Sequence, residues 1–226
     1  MEKFTTLHNV AAPLPETHLD TDVIFPARFL LLPDKKGLGE QLFNERRTNR
    51  TGEGPRFVLD TPPYDRAKIL VTGKAFGTGS SREQAVWALA DFGIRCVIAP
   101  SFGEIFFANC FKNGVLPIVL DDATHEQVMA EAKAQRALTI DLEGQQIRLE
   151  DGRGIGFDID PHRKRTLLLG LDEVGLILED DIEDILAFEA GQRRERPWHF
   201  LTPEQLAFFK DTAPTRLTER SRDAET

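Results

Sequence analysis

The sequence predicts an α/β fold with a mostly parallel core sheet flanked by helices. Between Ala67 and Leu120, three short apolar runs (AKILVTG, RCVIAP and VLPIVL) alternate with two segments of helical period, the pattern of βαβ units. Gly93, Pro100 and Gly114 punctuate the junctions. Further on, LTIDLEGQQIRLEDGRGIGFDID alternates polar and apolar residues around EG and DG turns, which predicts antiparallel strands.

The elements follow in order. The first stretch, to about Leu32, carries LDTDVIFPARFLLL, where Pro26 argues against a regular central strand. Pro33 to Pro63 is polar and weakly periodic, with a short helix expected near Leu38 to Arg46 and loop elsewhere. A loop of that length in a compact domain is more often functional than idle. Ala67 to Gly73 is a buried strand. After a glycine-rich turn, Ala85, Val86, Leu89 and Phe92 recur at helical spacing, and Gly93 suits the position just past a helix end. Arg95 to Pro100 is a second strand. Ser101 to Gly114 is a second amphipathic helix, with Ser101 as N-cap and Glu104 three residues on. VLPIVL is a third strand, and Asp122 to Ala134 another helix. From Pro161, HRKRTLLLGLDEVGLIL and EDDIEDILAFEAGQ predict two more. Residues 192–226 hold a short amphipathic TPEQLAFFK between polar stretches, and the last dozen residues are expected to be disordered. One domain over 1–191 with a C-terminal extension over 192–226 is the expected organisation.

Bulk properties narrow the function. The chain has 226 residues, 28 Lys and Arg against 37 Asp and Glu, and a formal charge of −9. A binder of phosphate backbones needs a basic face, so nucleic acid is not an expected partner. MEKFTTLHNV has no apolar leader core, and the longest apolar runs are far too short to cross a bilayer. A cytoplasmic location without membrane contact is the expectation. Cys96 and Cys110 fall in segments that read as buried, so they are expected to be free core thiols. Two cysteines at that spacing hold neither an iron–sulfur cluster nor structural zinc, and no two of the five histidines have metal-site i, i+4 spacing. No metal ligand is therefore assigned to this chain.

The chemistry concentrates in GTGSSREQA, Gly77 to Ala85. Ser80 and Glu83 have capping-box spacing, and a cap alone would explain them. Three features point instead to an anion site. Gly77 and Gly79 let the backbone approach another group closely. The turn follows the carboxyl end of a buried strand, where open α/β sheets place ligands. Arg82 falls in the first helical turn, where a cation opposes the helix dipole unless an anion meets it. A helix start, two hydroxyls (Ser80 and Ser81) and a guanidinium suit a carboxylate or phosphate. The DTD run, Asp20 to Asp22, is open between a turn and a carboxylate placed in a site.

LDTDVIFPARFL, GTGSSREQA and VIAPSFGEIFFANCFKNGVLPI, in that order, resemble the small-subunit family of 3-isopropylmalate dehydratase, the separate swivel domain of the aconitase superfamily. The match extends to about Ala190 and includes PHRKRTLLLGLDEVGLIL. The resemblance implies an aconitase-like swivel domain (β/β/α) and a hydro-lyase active only with a large subunit. That partner would carry a 4Fe-4S cluster whose open iron takes the substrate hydroxyl. It implies Ser80 as the base that removes the proton α to a carboxylate. Arg82 would hold a substrate carboxylate with Ser81 beside it, Gly77 and Gly79 would shape the turn, and Asp22 would face the cluster side. The segment from about Phe29 to Arg47 resembles the loop that senses the substrate's side chain, with Arg28, Phe29, Leu30 and Leu31 as candidates. The substrate would be a small dicarboxylate, 2- or 3-isopropylmalate. A related malate (citraconate/2-methylmalate or homoaconitate) and a non-catalytic organic-anion module are the alternatives. Thr78 stands where relatives often carry cysteine.

Physics sets a condition on Ser80. Each pK unit requires about 1.36 kcal/mol, and a helix N-terminus supplies at most ~2 kcal/mol. Arg82, backbone N–H groups and exclusion of water must act together.

Overall fold

The computed structural model describes residues 1–31, 36–47, 56–79 and 82–211, with side chains to residue 207. It divides into two compact units, Met1–Leu176 and Ile177–Thr226.

In the first unit, seven strands among the described residues form one sheet. They are β1 Thr6–Leu14, β2 Ile69–Thr72, β3 Cys96–Ala99, β4 Leu116–Val119, β5 Ala137–Asp141, β6 Gln146–Arg148 and β7 Gly154–Gly156. Their order is β4-β3-β2-β1-β5-β6-β7. The β4–β1 half is parallel and the β1–β7 half antiparallel. Among the described residues the helices of both units are α1 Thr21–Ile24, α2 Asn44–Arg47, α3 Gln84–Phe92, α4 Glu104–Lys112, α5 Asp122–Lys133, α6 Pro161–Leu169, α7 Glu173–Glu195 and α8 Pro203–Asp211, with α8 and most of α7 in the second unit.

β1, the strand that joins the two halves, is the element the sequence pattern hides, because TLHNVAAPL holds a proline and few apolar alternations. Its first half pairs with β5 and its second half with β2. Gly73 N–H donates to Leu14 O at 3.1 Å, so Leu14 and Ala12 turn their backbone groups toward β2. Pro13, between them, faces the side where no strand pairs with it, and its missing N–H costs the ladder nothing.

Both faces of the parallel half are buried, which explains the continuous apolar runs. Leu70 and Val97 point into one core with Ala85, Val86 and Leu89 of α3. Ile69, Val71, Cys96 and Ile98 point into the other with Val128 and Ala132 of α5. Cys96 and Cys110 are free and fully buried, and burial pushes both thiols up.

Several local expectations are corrected. The helix expected near 38–46 is a 3-10 turn, Leu38–Gln41, and the single-turn α2. The chain breaks between them because Phe43 takes φ 49° to bury its ring. Ser101 is not an N-cap: α4 starts after Gly103, and Ser101 Oγ accepts from Ala75 N–H at 2.9 Å. The break in the C-terminal helical segment falls at Gly170, not near Leu178. Gly170 takes φ 71°, its N–H returns to the end of α6, and Asp172 Oδ1 accepts from Gly175 N–H at 2.7 Å to start α7.

In the second unit, Thr202 and Gln205 form a reciprocal capping box at the start of α8. Arg193 lies over the Phe200 ring at 4.4 Å. The residues expected to be disordered, 215–226, lie outside the described residues. Among the described residues no helix is long and apolar enough to cross a membrane.

His125 of α5 gives the fold a pH dependence. It is buried, and its Nε2 has no hydrogen-bond partner among the described residues. Burial lowers its pKa, against the opposing pull of the Thr72 backbone and of Asp122 and Glu126. The unfolded chain therefore takes up the proton first as pH falls, and stability declines below about pH 6.5. We expect His125→Gln to flatten the fall in Tm between about pH 7 and 5. An unchanged slope would assign that dependence to other groups.

A candidate active site at the glycine turn

Three loops meet at the carboxyl ends of β1, β2 and β3, where a parallel sheet leaves backbone groups free for ligands. The middle loop, Gly73 to Gly79, is zipped to both neighbours. On the β1 side, His18 N–H donates to Lys74 O (2.8 Å), Gly77 N–H to Leu19 O (2.7 Å) and Thr21 N–H to Thr78 O (2.9 Å). On the β3 side, Phe76 N–H donates to Ser101 O (3.1 Å) and Gly103 N–H to Phe76 O (2.8 Å). Thr78 Oγ1 donates to Ala75 O at 3.2 Å, within the turn.

Both predicted glycines are required by their backbones. Gly77 has φ +72° and Gly79 φ +96°, in the left-handed region. A Cβ on Gly77 would stand 2.2 Å from Phe106 Cγ, and one on Gly79 3.2 Å from Asp20 Cβ. The Phe106 ring that seals the turn is itself packed edge-on against Phe76.

The two charged residues come together. The Arg82 guanidinium pairs with the Asp22 carboxylate, sixty residues away in the chain. The Arg82 side chain is 22% exposed and that of Asp22 53%, so the pair sits at the lip of the turn with one carboxylate face open. The DTD run thus has two jobs. Asp20 Oδ1 accepts from Val23 N–H at 2.8 Å and caps α1, while Asp22 reaches Arg82.

The capping-box expectation is corrected at Glu83. Helix α3 begins at Gln84, so Arg82 precedes its first turn. The Glu83 carboxylate accepts from Asn113 Nδ2 at 2.9 Å, and among the described residues it makes no cap bond to α3. Ser80 and Ser81 lie outside the described residues.

The candidate specificity residues are spread out. Arg28 pairs with Glu45 and donates to Asn44 Oδ1 at 2.6 Å. Phe29 is partly buried, 6.0 Å from the Phe25 ring, and Leu30 is partly buried against the same core. Leu31 is 93% exposed. A cleft of about 340 Å³ runs from Asp20 and Asp22 past Val23 and Pro26 to Glu45 and Arg46. Arg28 is thereby linked to the Asp22 cleft through Glu45, whereas Phe29, Leu30 and Leu31 are not among its lining residues. Two larger hollows, about 440 and 630 Å³, are lined by none of the candidate site residues. The chemistry of the side chains, not the size of the hollow, selects the glycine turn.

The sequence reading passes over Gly103 and Phe106. A Cβ on Gly103 would come within 2.4 Å of Gly77 O, so α4 can start there only because the residue is glycine. Among the described residues no three His, Cys, Asp or Glu side chains are placed to hold a metal ion.

The model of the aconitase C-terminal domain matches residues 1–123, and the model described as LeuD_N matches residues 126–161. A 3-isopropylmalate dehydratase small subunit from Dinoroseobacter shibae is 53% identical over 201 residues, 88% of this chain and the whole of that protein. The namesake from Parvibaculum lavamentivorans is also 53% identical over the same shares. The chain belongs to this small-subunit family. The crystal structure of a 3-isopropylmalate dehydratase from Methanocaldococcus jannaschii superposes with a TM-score of 0.61 at 25% identity, covering 80% of this chain and 99% of that one. Membership of the 3-isopropylmalate dehydratase family and the α/β swivel fold implied by the motif resemblance both hold.

Proposed function

We propose that this chain is the small subunit of a cytoplasmic hydro-lyase that interconverts 2- and 3-isopropylmalate, in leucine biosynthesis, by removing water and adding it back at the neighbouring carbon. The observation that carries the reading is the meeting of Arg82 and Asp22 at the lip of the glycine turn. A guanidinium offers a planar fork that matches a carboxylate, and Arg82 holds one carboxylate of the substrate there. Gly77 and Gly79 let the backbone come close to it. Ser80 takes the proton from the carbon α to a carboxylate, Ser81 lies beside it, and Asp22 fixes the guanidinium from its far side. Arg28 and the following Phe29, Leu30 and Leu31 meet the side chain of the malate. A large subunit completes the site and excludes water. Its 4Fe-4S cluster would supply Lewis acidity to the departing hydroxyl. Cys96 and Cys110, buried and held in the thiol form, take no part in holding it.

The test is co-expression with a cognate large subunit and anaerobic cluster reconstitution, following absorbance of the unsaturated intermediate. 3-Isopropylmalate, 2-methylmalate and homocitrate are compared. Preference for 3-isopropylmalate is expected, with no turnover by this chain alone. Ser80→Ala should cost about a thousandfold in kcat while the complex still assembles. Turnover of another malate only would overturn the substrate, and an active Ser80→Ala would overturn the base.

A further inference from the structure

The start of α3 is held by a residue to which the motif resemblance assigns no role. Among the described residues Glu83 makes no capping bond to its own helix; its carboxylate is tied to Asn113, at the C-cap of α4. Asn113 Nδ2 also donates to Asn109 O at 2.9 Å. Both partners can only accept, so the amide orientation is set by chemistry and both its hydrogens are used.

The tether sits one residue from Arg82. Glu83 O accepts from Val86 N–H at 2.9 Å and from Trp87 N–H at 3.1 Å, whereas Arg82 O meets Ala85 N–H only at 3.4 Å. Among the described residues Glu83 is therefore the first firmly locked into α3, and the direction in which Arg82 leaves the helix follows from it. That direction brings the guanidinium to Asp22 on another loop.

We infer that Asn113 is a positioning residue: through Glu83 it aims Arg82 at the substrate carboxylate. The inference rests on the functional reading above for the identity of that carboxylate. A guanidinium is useful to a carboxylate only within a narrow range of orientations, so a small rotation at Glu83 is felt as lost binding.

The test is a donor–acceptor reversal in the assembled enzyme. Asn113→Asp sets two carboxylates against each other and should raise KM for 3-isopropylmalate about tenfold, with kcat within about threefold. Glu83→Gln keeps an acceptor for Asn113 and should stay within about twofold of the parent. In the double variant the new amide donates to the new carboxylate, and KM should return to within about threefold. In parallel, phenylglyoxal labelling of Arg82 in the full-length free chain, read by peptide mass spectrometry, should speed up in Asn113→Asp and recover in the double variant. A merely structural cap would lower Tm in both Asn113 variants and leave KM and labelling unchanged, which would overturn the inference. If the parent complex turned over no malate, the functional reading would fall, and the labelling rates alone would decide the role of Asn113.

Discussion

Arg82→Ala should lower kcat/KM of the assembled enzyme by roughly a thousandfold while leaving the fold nearly as stable as before. Removing one member of a desolvated charge pair costs about 2–5 kcal/mol where a ligand closes over it, because the other charge is left without a partner. In the free chain the same pair is open to water on the Asp22 side. Its loss there should cost no more than about 1 kcal/mol. Arg82→Lys keeps the charge and loses the planar fork, so it should recover only part of the activity. Steady-state kinetics on the complex and urea unfolding of the free chain separate the two effects. A loss of stability as large as the loss of catalysis would make Arg82 a structural residue and remove it from the site.

Gly77→Ala should be among the most damaging single substitutions in the turn. Two costs add. The added methyl meets the Phe106 ring at 2.2 Å, and an L residue must adopt φ +72°. Overpacking costs about 1–3 kcal/mol and the left-handed backbone about 1–2 kcal/mol. Gly93→Ala is the matched control: it has φ +108°, but no atom lies within 4 Å of the added methyl, so only the backbone cost remains. Denaturation midpoints of the two variants should differ clearly, with Gly77→Ala the less stable. Equal losses would show that Phe106 yields and that close packing of the turn is not required.

Much of the α/β core was legible in the sequence because its signals are local. Apolar runs of strand length, helical spacing after them and glycines at the ends depend only on neighbours in the chain. The same locality explains the errors. Ser101 and Glu83 both stand where a helix cap belongs, and both give their oxygens to partners elsewhere, the Ala75 N–H and the Asn113 amide. Spacing shows that a cap is possible, but a tertiary donor at hydrogen-bond distance competes for the same lone pairs. Gly103 gave no signal at all. Its φ of −64° suits any residue, and only the approach of Gly77 O excludes a side chain.

The sequence by itself determined the parallel strand–helix core and singled out the glycine turn, Arg82 and Asp22 as separate candidates for the site. The core, the turn and Arg82 follow from periodicity, backbone freedom and residue type, and Asp22 from the motif resemblance. Only the tertiary structure decided that Arg82 and Asp22 form one pair, that Asp20 is the cap and Asp22 the reaching carboxylate, and that β1 is the strand joining the two halves of the sheet. The reason is physical. The parallel ladder between β1 and β2 aligns the carboxyl ends of two strands far apart in sequence, and no local pattern encodes which loops that register will bring together.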